Sequence, residues 1–66
     1  MVMKMDTRLY ELRKEKHLSQ IQLQIELGID QSDISKIESG QKEFTAEQCK
    51  AAALFFHTSM DYILCL

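Results

Sequence analysis

The sequence has no proline and only two glycines, Gly28 and Gly40, in 66 residues. With so few breakers, little interrupts a helical pattern except those glycines and some polar turns. An all-α fold follows. Cysteine is scarce too. Cys49 and Cys65 stand in apolar, helix-patterned surroundings, with no CxxC pair and no Cys/His cluster. That spacing argues against a metal site and for two reduced, core-type thiols in a cytosolic protein, with a disulfide as the minor alternative. No apolar run approaches a membrane span, and Met1 to Met5 is too short and too polar for a signal peptide. His17 and His57 have no triad or metal spacing around them, and there is no nucleotide-binding loop. No catalytic residue, metal or cofactor is therefore assigned, and an enzyme is not expected. Positive charge is also in short supply: 8 Lys and Arg face 10 Asp and Glu, for a net charge of -2. A basic excess usually accompanies nucleic-acid binding, so only a local basic patch remains possible.

What is present is apolar content of 45%, enough for a globular chain. At this length it makes one domain, residues 1–66, with a thin stability margin. Five short helices are predicted, over about residues 7–16, 20–27, 31–38, 46–56 and 59–64. Asp6 or Thr7 caps the first, with Leu9 and Leu12 on its inner edge and Arg13 pointing partly inward. His17 ends it. Ser19 caps the second helix, where Leu23 and Leu27 face the core. Ile21 and Ile25 form a second apolar pair on another face, either packed under the first helix or exposed for a partner. Gly28 supplies a left-handed turn and Ile29 returns to the core. Asp30 caps the third helix, with Ile34 and Ile37 inward. The fourth helix begins after Thr45, with Glu47 and Gln48 in its first turn as a local capping-box arrangement, and its inward stripe is Ala46, Cys49, Ala52, Ala53 and Phe56. Ser59 caps the last.

Only Gly28, Ile29 and Asp30 separate the second helix from the third. Helices joined so tightly cross steeply, as in a helix-turn-helix, whose second helix enters the major groove in DNA-binding proteins. Around that joint, Leu18-Ser-Gln, Leu23, Leu27-Gly-Ile, Gln31-Ser, Ile34-Ser-Lys-Ile-Glu and Gly40 resemble the helix-turn-helix of the Cro/repressor type, also called the xenobiotic-response-element type. The likeness extends from about Arg8 to Leu64 and takes in Ala53, Phe56, Ser59, Asp61 and Ile63. The resemblance implies a lambda-repressor-like bundle of five helices. It implies a small cytoplasmic transcriptional regulator, typically a repressor, that binds a palindromic double-stranded operator as a homodimer. It assigns base reading to Gln31, Ser32, Asp33 and Lys36. Phosphate contacts fall to Ser19, Gln20, Ser35, Ser39, Gln41 and Lys42, with amides of the loop from Ser39 to Lys42 taking part. Arg13 and Glu38 match a partly buried structural ion pair. Glutamine can pair bidentately with adenine, and lysine can reach guanine or a phosphate. Asp33 can accept from cytosine N4, or simply be a surface charge or a second cap.

Some positions depart from the family pattern. Gln24 stands where alanine is usual at the helix crossing, and should turn outward or loosen the crossing. Phe44 replaces a common proline, freeing the next loop or anchoring it. Asp30, Asp33 and Glu43 lie near the DNA face, opposed by Arg13, Lys36 and Lys42. Weak non-specific binding and a shallow salt dependence are expected. Phe55, Tyr62, Leu64 and Leu66 lie off the inner stripe and are candidates for a dimer interface. The alternative function is a protein-interaction module, such as an antitoxin or anti-repressor, using Ile21 and Ile25.

Overall fold

Ser19 and Thr45 are both in extended backbone and start helices in the same way. The Ser19 hydroxyl accepts the Gln22 N–H at 3.0 Å, and the Gln22 side chain accepts the Ser19 N–H at 2.8 Å. Thr45 and Gln48 repeat the exchange at 3.1 and 3.0 Å. Each box satisfies two N–H groups that a helix start otherwise leaves bare. The computed structural model describes residues 7–66. The elements are α1 (Leu9–Glu15), α2 (Gln20–Leu27), α3 (Gln31–Glu38), α4 (Ala46–Phe55) and α5 (Met60–Leu64), with no strand among the described residues.

The first helix is shorter than its sequence pattern suggests. Asp6, one candidate cap, lies outside the described residues. The N-cap position falls to Arg8, whose side chain makes no capping bond. Thr7, the other candidate, accepts the Leu9 N–H on its Oγ1 at 3.4 Å, and a tertiary contact adds to it: the Arg8 N–H donates to the Ile63 carbonyl at 2.8 Å. The Arg8 Nε donates to the Tyr62 carbonyl, also at 2.8 Å, and its guanidinium stacks 4.4 Å from the centre of the Tyr62 ring. The two ends of the described chain are thus tied together.

Helix ends follow one pattern. His17, Gly40, His57 and Cys65 all have positive φ, at 56°, 80°, 55° and 61°. In each case the next residue's N–H reaches back five positions: Leu18 to Arg13, Gln41 to Lys36, Thr58 to Ala53 and Leu66 to Asp61. These are Schellman closures, which satisfy terminal carbonyls. Only one of the four uses glycine. The left-handed turn after α2 does use it, with Gly28 at φ 70° and nothing within 4 Å of where a Cβ would sit. Conformation, and not space, therefore selects glycine there.

Leu9, Leu23, Ile29, Ile34, Ile37, Cys49, Ala52, Ala53, Phe56 and Ile63 form the core. Every helix contributes, and Ile29 in the turn adds a plug worth about 1.5–3 kcal/mol. Ala52 and Ala53 are buried, and their small side chains allow α4 close to its neighbours. Several expectations change. Ala46 is exposed, because the first residue of α4 precedes the part of the stripe that meets the core. Leu12 and Leu27 are only half-buried at the core edge. Phe44 packs against the core, so the missing proline is replaced by an apolar anchor. Cys49 is buried while Cys65 is exposed, and both thiols are free. Burial pushes the Cys49 thiol pKa up, as expected for a group whose charged form loses hydration. Ile21 and Ile25 are 55% and 72% exposed, which excludes packing under α1.

Candidate nucleic-acid interface

A chain of side-chain hydrogen bonds runs from the inside of the bundle to the start of α3. Arg13 and Glu38 form a two-bond fork, Nε to Oε2 at 2.7 Å and Nη2 to Oε1 at 2.9 Å. Their side chains are only 9% and 5% exposed. The third Arg13 nitrogen, Nη1, donates to the Leu18 carbonyl at 2.8 Å, just ahead of α2. The arginine pKa is held above its ordinary value, chiefly by the hydrogen bond to Glu38, with burial opposing. This pair joins α1 to the end of α3 and fixes how α2 enters between them.

Gln20 extends the chain. Its Nε2 donates to Glu38 Oε1 at 3.0 Å, and its Oε1 accepts from Gln31 Nε2 at 2.7 Å. Gln31 is left with its own Oε1 and one amide proton. That is the donor and acceptor set that a bidentate contact to adenine N7 and N6 needs. Gln20, implied as a phosphate grip, spends most of its amide inside the protein and retains one N–H for that use. Every buried side-chain polar atom among the described residues has a partner.

The cap on α3 is not the one its sequence suggests. Asp30 occupies the N-cap position but makes no capping bond; its Oδ2 accepts from the Ser32 hydroxyl at 2.6 Å. The Gln31 N–H goes to Gln24 Oε1 at 2.7 Å. Gln24 does not turn outward. It lies half-buried between the helices and replaces the local cap with one from α2. Sequence reasoning missed this role. The available signal was a long amide at a position where the family is small. Ser32, with its proton on Asp30, keeps only lone pairs for a ligand and so suits an amino group better than a phosphate.

The remaining assigned residues divide. Ser32 and Lys36 are exposed on α3, whereas Asp33 and Ser35 are half-buried. Asp33 Oδ1 lies 2.9 Å from Lys42 Nζ, so the loop cation is neutralised by the helix it borders. Among the described residues, Lys36 enters no ion pair. Ser19 spends an acceptor on its cap and keeps a proton to donate. The Ser39 hydroxyl donates to the Lys36 carbonyl at 3.1 Å. The loop amides from Ser39 to Lys42 all turn back to carbonyls of Ser35, Lys36 or Ile37. The implied amide contacts from this loop are therefore already taken by the helix end, and its exposed Gln41 and half-buried Lys42 side chains remain. Asp30 and Glu43 are exposed and add negative charge beside them.

A helix-turn-helix family model matches residues 9–63, from the start of α1 to within one residue of the end of α5. The chain belongs to the Cro/repressor-type helix-turn-helix family. No curated protein matches it. This repressor-type domain is a DNA-binding regulator in the general sense of its family, which is not typically enzymatic. Among the described residues no three His, Cys, Asp or Glu side chains gather as metal ligands, and no helix is long and apolar enough to cross a membrane.

The candidate dimer residues are not alike. Tyr62 and Leu66 are 45% and 88% exposed, and Tyr62 carries the Arg8 stack. Phe55 and Leu64 are half-buried against the core, Phe55 edge-on to Phe56 with ring centres 4.9 Å apart. Leu54 was not singled out in sequence, yet it is 68% exposed. Its signal lay in the helical register, because a stripe of Cys49, Ala52, Ala53 and Phe56 leaves Leu54 outward.

Proposed function

We propose that the chain is one domain that recognises a specific double-stranded DNA sequence as a homodimer and represses transcription from it in the cytoplasm. The α3 helix lies in the major groove, with Gln31, Ser32, Asp33 and Lys36 toward the bases. The carrying observation is the state of Gln31: anchored through Gln20 to the Arg13–Glu38 pair, with one donor and one acceptor left for an adenine edge. A side chain held this way loses little freedom on binding, which favours discrimination between bases. Ser19, Gln20, Ser35, Gln41 and Lys42 supply the phosphate contacts, and Ser39 joins them only if its hydroxyl turns away from the Lys36 carbonyl. The exposed apolar residues Leu54, Tyr62 and Leu66, with Phe55 and Leu64 behind them, favour self-association. A twofold axis would then set two α3 helices about 34 Å apart on a palindrome. Repeated selection from a random duplex pool at low salt tests this. A palindromic consensus with adenine lost in Gln31→Ala is the expected result; no enrichment over the starting pool would refute it.

A second reading rests on Ile21 and Ile25, exposed on α2, and on the acidic balance of the chain. It makes the domain a protein-interaction module of antitoxin or anti-repressor type, with weak DNA binding. Pull-down from the native cell separates the two. A stoichiometric protein partner lost on Ile25→Lys, together with failed DNA selection, would favour it.

A further inference from the structure

Gln20 and Gln24 are one helical turn apart on α2, and both end on the same residue of α3. Gln20 Oε1 takes the side-chain amide of Gln31 at 2.7 Å, and Gln24 Oε1 takes its backbone N–H, also at 2.7 Å. Residues four apart share a helix face, so the double grip follows directly from the register of α2. Asp30 does not take this N–H: its side chain makes no capping bond, and its Oδ2 accepts from the Ser32 hydroxyl. The first turn of α3 is thus fixed from its neighbour and not by its own cap.

We propose that Gln24 is a positioning residue for base recognition. It sets the height and rotation of Gln31 at the entry of α3, while Gln20 sets the direction of the amide. This rests on the DNA-binding reading above and adds a specificity role to a side chain that faces no base. Two consequences follow from the geometry. The N–H that Gln24 takes is withdrawn from any phosphate, so Gln24 contributes nothing to non-specific affinity. Its loss frees Gln31 to shift along the groove, so the preference among bases falls while general affinity holds.

The experiment pairs a binding measurement with a readout on the free protein. Amide hydrogen exchange at Gln31 is measured in wild type, Gln24→Ala and Gln24→Glu; the last keeps an acceptor oxygen. Each protein is then titrated against its selected duplex, the same duplex with the Gln31-dependent base pair changed, and an unrelated duplex. Gln24→Ala is expected to exchange the Gln31 amide roughly tenfold faster, the loss of one hydrogen bond of ordinary net strength. Its preference for the selected base should fall about five- to tenfold, with less than a twofold change on unrelated DNA. Gln24→Glu should keep both the slow exchange and the base preference, even if its charge weakens all three duplexes alike. Faster exchange with an unchanged preference in Gln24→Ala would overturn the positioning role and leave the DNA-binding reading intact. A wild type that does not distinguish the first two duplexes would overturn both.

Discussion

Asp33 and Lys42 face each other at 2.9 Å on a surface that should meet a polyanion. A phosphate approaching Lys42 must displace a carboxylate already there and then sit near it. The pair therefore lowers the general affinity for DNA, and Asp33 reads a base only where it gives up Lys42, so discrimination rests first on Gln31, Ser32 and Lys36. Asp33→Asn should tighten binding to unrelated DNA and steepen the slope of log affinity against log salt by about one unit, through the freed lysine. Fluorescence anisotropy between 50 and 200 mM salt, an interval over which phosphate contacts change affinity strongly, reads it; an unchanged slope would remove Lys42 from the phosphate contacts. At the inner end of the same surface, Glu38 carries more structural weight. Its removal leaves Arg13 inside the bundle without its partner. Glu38→Ala should cost about 3–5 kcal/mol in urea unfolding, a large share of what a domain this small has. An apolar pair, Arg13→Met with Glu38→Leu, should recover much of that stability while Gln20 stays without its anchor. Base preference should remain impaired in a protein that folds.

The helices have unequal origins. Those begun by Ser19, Thr45 and Ser59 are capped by their own sequence, and their starts were legible from residue type alone. The start of α1 has a local bond from Leu9 to Thr7 but is held to the bundle by Tyr62 and Ile63, and the cap of α3 comes from Gln24; these partners lie 54, 55 and 7 positions away, where no local pattern reaches. The helix ends show the converse. His17 and His57 accept left-handed backbone that costs a non-glycine residue about 1–2 kcal/mol, because the closure satisfies terminal carbonyls. His57→Gly should therefore stabilise the domain by about 0.5–1 kcal/mol, once the greater freedom of glycine in the unfolded chain is offset. Gly28→Ala should do the opposite by about 1 kcal/mol, although the space there is open. Thermal melts resolve both, since 1 kcal/mol moves the midpoint of so small a domain by about 4–8 °C. A lower midpoint for His57→Gly would mean that the imidazole contributes contacts worth more than the strain.

For the whole molecule, size and surface point the same way. A 66-residue bundle buries a modest fraction of its surface, and Leu54 and Leu66 are left largely bare. Self-association would cover such residues and add stability by mass action. The melting midpoint should accordingly rise with protein concentration in wild type. Leu54→Lys or Leu66→Lys should abolish that dependence, sediment as a monomer and weaken binding to a palindrome far more than to a half-site. A midpoint independent of concentration, with monomeric sedimentation of wild type, would instead make the domain act alone.

The sequence by itself determined the elements and their order. Absent prolines, apolar residues at helical spacing, hydroxyl caps and Gly28 are local signals, each acting within a turn or two of chain. They also placed Arg13 against Glu38 and Gln31 at the head of the exposed helix, through likeness to a family with the same pattern. Tertiary structure decided what those residues do with their hydrogen bonds. Gln20 faces inward to Glu38 and Gln31, Gln24 caps a helix other than its own, Asp33 engages Lys42, and the loop after α3 closes its amides on that helix. Each of these depends on the approach of α2 to α3 or on the closing of a chain end. The choice of partner for a polar group is made only when the packed helices bring a better one than water within about 3 Å.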